Sequence, residues 1–74
     1  MKVRKRANWH RADVVAALKK RKVSLAEIGR RHGMAPSTVK NALDKPYPNG
    51  ERWIAEALEL KPEDIWPERY EQHV

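Results

Sequence analysis

Apolar residues recur at helical spacing along most of this chain. Between Trp9 and Lys22, Val14, Ala17 and Leu18 fall at i, i+3 and i+4, which predicts a first helix with one buried stripe. Lysines and arginines crowd its last turn, where they suit the negative end of the helix dipole. Ser24-Leu25-Ala26-Glu27 then has the form of a capping box: the Ser24 hydroxyl accepts from the Glu27 N–H and the Glu27 carboxylate accepts from the Ser24 N–H. A second helix is expected from Leu25 to about His32, with Leu25, Ile28 and Gly29 inward and Gly33 as a left-handed C-cap. Pro36, with its fixed φ, suits the first position of a third helix running through about Asp44. On that helix Val39, Ala42 and Leu43 share one side, while Ser37, Lys40, Asn41 and Asp44, at i, i+3, i+4 and i+7, share the other.

Lys45-Pro46-Tyr47-Pro48-Asn49-Gly50 interrupts the pattern and is expected to be a loop. Glu51 to about Leu60 predicts a fourth helix, with Ile54, Ala57 and Leu58 inward, and Pro62 to Trp66 one short helical turn ended by Pro67. Residues 1–8, MKVRKRAN, carry four basic residues and little to bury, so they are expected to form a disordered basic arm ahead of a single domain over residues 9–74. The fold class is therefore all-α, with four helices and a short fifth. A chain of 74 residues cannot divide its apolar side chains between two cores. It has no cysteine, which excludes disulfides and thiolate metal sites. The longest apolar run, Val14 to Leu18, is far short of the roughly 20 residues a bilayer span needs, so the expected setting is the cytoplasm with no membrane partner.

Charge sharpens this picture. Residues 1–45 hold thirteen Lys and Arg against Asp13, Glu27 and Asp44, a balance of +10, whereas residues 46–74 carry a balance of −4. Such polarity implies one basic face and a polyanionic partner. The basic half coincides with the second and third helices, whose layout is that of a helix-turn-helix. Gly29 is the small residue that allows close approach, Gly33 opens the turn, Met34 is the apolar residue after it, and Val39 anchors the second helix, with Ile28, Ala42 and Leu43 completing the seam.

The exposed side of the third helix is stocked for reading double-stranded DNA. Pro36 would start it at the major groove. Ser37 can bond to a base or a phosphate, Lys40 to guanine O6 or N7, and Asn41 can pair bidentately with adenine. Ala35 can press its methyl on thymine, and Asp44 either repels phosphate or accepts from a cytosine amino group. Thr38 and Lys45 at the margins, together with Arg11, Lys19, Lys20, Lys22, Arg30 and Arg31, are candidates for the backbone. Lys2, Arg4, Lys5 and Arg6 of the arm can follow the backbone, enter a minor groove, or add only non-specific attraction. His10, His32 and His73 lack metal-ligand spacing, and no phosphate loop or activated nucleophile occurs, so neither cofactor, small-molecule substrate nor catalysis is expected. Trp9, Trp53, Trp66, Tyr47 and Tyr70 are scattered, and packing bulk suits them better than a stacking platform.

Trp9-His10-Arg11-Ala12-Asp13-Val14, Leu18 to Lys22, Ser24-Leu25, Ala35-Pro36-Ser37-Thr38, Asn41-Ala42-Leu43 and Ile65-Trp66-Pro67-Glu68-Arg69-Tyr70 together resemble the Ner family. These are small negative regulators of Mu-like transposable phages, with chromosomal Ner-like relatives. The resemblance covers about Trp9 to Tyr70. It implies a λ-repressor-like fold, operator binding, repression of early transposition genes, and neither catalysis nor cofactor. It carries the recognition positions onto Pro36, Ser37, Thr38, Lys40 and Asn41. Two other readings remain open: an architectural protein that bends DNA, and a protein-interaction adaptor that uses the acidic half. No heptad seam or broad apolar patch fixes a dimer, so one, two or more protomers on DNA are all compatible with the sequence.

Overall fold

The computed structural model describes residues 7–70, so the arm residues Lys2, Arg4, Lys5 and Arg6, and His73, lie outside the described residues. Within that range the chain is helical: α1 (Arg11–Lys20), α2 (Leu25–Arg31), α3 (Pro36–Asp44), α4 (Pro48–Ala57), α5 (Pro62–Ile65) and α6 (Pro67–Tyr70). No described helix is long and apolar enough to cross a membrane.

α1 starts two residues later than its apolar pattern suggests. His10 takes the N-cap in an extended conformation, its Nδ1 accepting from the Ala12 N–H at 3.0 Å. Trp9 stays outside the helix and donates its N–H to the Ile65 carbonyl at 2.9 Å, joining the start of the described chain to its end. α1, α2 and α4 all finish in the same way. The residue after the C-cap bonds to the carbonyl three positions back, and the next residue to the carbonyl five back, as in Val23 N–H to Leu18 O at 3.0 Å. The left-handed residue in this device is Lys22 (φ 59°) after α1, Gly33 (φ 69°) after α2 and Glu59 (φ 58°) after α4. The expected left-handed Gly33 is therefore present, and two non-glycine residues accept the same conformation.

At the start of α2, Ser24 Oγ accepts from the Glu27 N–H at 3.0 Å, which is half of the expected capping box. The Glu27 carboxylate turns instead to Arg31 at 3.4 Å and Arg30 at 3.8 Å. α4 corrects the sequence reading more strongly. It begins at Pro48, inside the expected loop, because proline is as well suited to the first turn here as Pro36 is in α3. Gly50 is buried in that first turn against the Tyr47 ring and the Ala42 methyl, where any Cβ would collide. Pro67 begins the short α6 rather than ending the chain's helical structure.

One buried cluster joins these elements. Val14 and Leu18 of α1, Ile28 of α2, Val39, Ala42 and Leu43 of α3, Ile54 and Ala55 of α4, Leu58, and Ile65 and Trp66 near the end all lie within it. Burying each large aliphatic side chain is worth about 1.5–3 kcal/mol. The stripes of α1, α2 and α3 match the predicted inward positions. α3 packs on both α2 and α4, so its inner side is held from two directions.

Candidate nucleic-acid interface

The α2–turn–α3 unit is built on close backbone approach. A Cβ on Gly29 would lie 2.5 Å from the Met34 carbonyl oxygen, a backbone atom that cannot swing aside. The Met34 N–H donates to the Gly29 carbonyl at 2.7 Å, which pins the turn against α2. Gly33 supplies the positive φ between them, and a Cβ there would meet nothing within 4 Å. Ala35 is extended, and its carbonyl accepts from Thr38 and Val39 at 3.0 and 3.3 Å to launch α3. Met34 itself departs from expectation. The residue is 39% exposed, so it contributes to the unit through its backbone rather than as buried apolar bulk.

α3 divides sharply between its two sides. Val39, Ala42 and Leu43 are buried, whereas Pro36, Ser37, Lys40, Asn41 and Asp44 are exposed and Thr38 is half-buried. Ser37, Lys40 and Asn41 thus occur together on one solvent face, as their spacing requires. Ala35 is exposed at its start, and Lys45 is exposed just past its end, its N–H donating to the Asn41 carbonyl at 2.9 Å.

The candidate phosphate contacts fall into two groups that sequence does not separate. Arg11 pairs with Asp44 at 2.9 Å, both half-exposed, so the acid on the α3 face is already neutralised from α1. Arg30 and Arg31 share Glu27, and Arg21 meets Glu59 at 3.5 Å. Lys19, Lys20, Lys22, Lys40 and Lys45 are exposed and form no ion pair among the described residues. Exposed pairs are worth about 0–1 kcal/mol, so a phosphate can compete for the paired arginines, but the lysines carry the standing positive field.

One cluster escaped the sequence reading. Glu51 is only 2% exposed, yet it is charged. Its Oε2 accepts from the Tyr47 N–H and from Arg69 Nη1, each at 2.7 Å, and its Oε1 accepts from the Tyr70 hydroxyl. Arg69 Nη1 also donates to the Ala42 carbonyl of α3 at 2.8 Å, and the guanidinium lies 5.0 Å from the Trp66 ring centre. Every buried polar side-chain atom is satisfied among the described residues, which is the condition for tolerating such a charge. Burial, the Glu51 hydrogen bond and the Glu51 charge push the Tyr70 hydroxyl up to about 12. The signal for this cluster was present: Glu51 stands at i−3 and i−4 from Ile54 and Ala55, an acid within the inward stripe of α4.

The aromatic residues, His10 and His32 take structural positions. Trp66 is buried, and Trp9, Tyr47 and Trp53 pack partly against the core, though Tyr70 is 38% exposed. His32 stacks on Trp53 with ring centres 4.3 Å apart and planes 13° apart, and Tyr47 meets the same indole edge-on at 6.1 Å. His10 caps α1.

A glycine-tight α2–α3 unit, a buried seam and an exposed polar face on α3 define a helix-turn-helix DNA-binding protein. Residues 8–74 match the family described as winged helix-turn-helix DNA-binding, and the chain belongs to it. Among the described residues there is no strand, so the fold here is the helical part of that description without a sheet wing. The chain is 60% identical over 65 residues to the negative regulator of transcription of Escherichia phage D108, covering 88% of this chain and 89% of that one. It is 49% identical over 63 residues to sugar fermentation stimulation protein B of Escherichia coli (strain K12), covering 85% of this chain and 68% of that protein. Among solved structures it resembles the NMR solution structure of the Mu Ner protein, with a TM-score of 0.76 and 57% identity over 90% of each chain. The resemblance drawn from the motifs and the all-α helix-turn-helix fold both hold.

Proposed function

We propose that this chain is a sequence-specific double-stranded DNA-binding repressor that acts by occluding its operator. The observation that carries the proposal is the α3 face: Ser37, Lys40 and Asn41 lie exposed together while Val39, Ala42 and Leu43 lock the opposite side into the core. In this reading Ser37, Lys40 and Asn41 address base edges, with Pro36 setting the entering end. Lys19, Lys20, Thr38 and Lys45 hold phosphates, and Arg11 and Arg31 join them by exchanging Asp44 and Glu27 for DNA. Lys2, Arg4, Lys5 and Arg6 add positive charge from the arm, and residues 9–74 act as one domain. No step of this function needs a catalyst, a cofactor or a membrane, and it suits the cytoplasm.

The name of the phage D108 relative, a negative regulator of transcription, supports repression. A second reading, a bacterial chromosomal Ner-like transcription regulator, has its support in the likeness to sugar fermentation stimulation protein B of Escherichia coli (strain K12). Selection of bound fragments from random duplexes tests the proposal directly. It should return a preferred site, and half-site spacing within it would report how many protomers bind. Titration on that site should show log affinity falling with log salt at a slope of about −3 to −7, at roughly −0.9 per phosphate. No preferred sequence, or a slope near zero at measurable affinity, would refute it. Transcription from a promoter carrying the site separates repression from stimulation.

A further inference from the structure

We infer that Arg69 is a positioning residue for DNA reading, setting the pose of α3 from the far end of the chain through the buried Glu51 carboxylate. The proposal rests on α3 being the reader. An α-helix leaves its last carbonyls without intrahelical donors. At the end of α3, Lys45 N–H satisfies the Asn41 carbonyl, and the neighbouring Ala42 carbonyl is taken by Arg69 Nη1 at 2.8 Å. The same nitrogen is held at 2.7 Å by Glu51 Oε2, and that oxygen also accepts from the Tyr47 N–H at 2.7 Å. One carboxylate oxygen therefore ties together α6, the first turn of α4 and the link leaving α3.

Ala42 follows directly on the reader pair Lys40 and Asn41. A grip on its carbonyl fixes the axial rotation and height of α3, and with them the direction of both side chains. The buried residues of α3 are apolar, and apolar packing alone tolerates small rotations that directed hydrogen bonds do not. Base recognition is sensitive to such rotations because bidentate pairs need both donors and acceptors in register. Phosphate holding is not, since a lysine ammonium acts as a point charge. The arginine should therefore govern discrimination more than overall attraction.

Arg69→Lys is the informative change. Lysine retains a cation beside Glu51, but its side chain is shorter, so its ammonium falls short of the point from which Arg69 Nη1 holds both the carboxylate and the Ala42 carbonyl. The control is Ile65→Val, which removes one methyl from the same buried core in α5 and leaves the Arg69–Ala42 and Arg69–Glu51 bonds in place. Both variants and the parent are titrated against the preferred duplex and a scrambled one, at a temperature where circular dichroism shows each fully folded. The expected result is a specificity ratio at least fivefold lower for Arg69→Lys, an unchanged salt slope, and a parental ratio for Ile65→Val. Amide resonances from Asn41 to Lys45 should shift in Arg69→Lys and stay in place in Ile65→Val. A folded Arg69→Lys protein with the parental ratio overturns the inference, as does an equal loss in Ile65→Val. So does failure of Arg69→Lys to fold at any temperature, which would make the arginine a requirement of the fold rather than a setting of the helix pose. A parent with no sequence preference would instead overturn the reading of α3 itself.

Discussion

Adding one methyl group at Gly29 tests the helix-turn-helix geometry at its tightest point. In Gly29→Ala the new Cβ would sit 2.5 Å from the Met34 carbonyl oxygen and 3.4 Å from the Ala35 carbonyl carbon and oxygen. These are backbone atoms, so relief requires the turn to move away from α2. That movement stretches the 2.7 Å bond from the Met34 N–H to the Gly29 carbonyl and displaces the residue that launches α3. Overpacking of this kind costs about 1–3 kcal/mol, and a rigid backbone neighbour places it near the upper end. Replacing a helical glycine by alanine returns about 1 kcal/mol through helix propensity. The net loss is then about 2 kcal/mol, and at roughly 4–8 °C per kcal/mol for a domain of this size the midpoint should fall by about 8–16 °C. Thermal unfolding followed at 222 nm measures it. Gly33→Ala is the comparison: its Cβ meets nothing, but φ of +69° costs alanine about 1 kcal/mol. An unchanged or higher midpoint for Gly29→Ala would show that the α2–α3 approach has slack and that the steric argument is wrong.

Lys22→Gly should raise the midpoint, because Lys22 holds a left-handed φ of 59° that costs a non-glycine residue about 1 kcal/mol; a lower midpoint would contradict this. Lys40→Ala and Asn41→Ala should each cost about 1–3 kcal/mol on the preferred duplex and relax preference at one or two base pairs. Lys19→Ala and Lys45→Ala should weaken preferred and scrambled duplexes alike and flatten the salt slope by about one unit each, and equal losses on both duplexes for Asn41→Ala would remove α3 as the reader. The Tyr70 hydroxyl is pushed up to about 12, above its ordinary unfolded value of 10.0, so the folded state holds that proton more tightly. Its contribution is full below pH 10.0 and is lost as pH rises toward about 12, so denaturant midpoints should fall across that range in the parent and more weakly in Tyr70→Phe.

The sequence by itself determined the elements that rest on local rules. Apolar spacing placed the inward residues of α1, α2 and α3, Gly33 had to supply a positive φ after α2, and Pro36 opened α3 as its fixed φ allows. The two sides of α3 follow from a period of 3.6 residues, so the exposure of Ser37, Lys40 and Asn41 was legible once Val39 and Leu43 were assigned inward. Local rules failed where a residue had two admissible roles. Pro48 could break a helix or begin one, and only the Tyr47 and Ala42 side chains packed on Gly50 decided for a beginning. Glu27 could reach back to Ser24 or forward to Arg31, and the side chain chose the arginines.

Tertiary structure alone decided which charges remain available to a partner. Arg11 and Asp44 are 33 positions apart and meet only because α1 and α3 pack together, so no spacing rule could have removed either from the list of free charges. The same holds for Glu51, 18 positions from Arg69, where a carboxylate in an apolar stripe signalled a buried partner without saying which one. Periodicity reports the direction a side chain leaves its own helix. What waits for it there, a core methyl, a guanidinium or open solvent, depends on how the helices assemble.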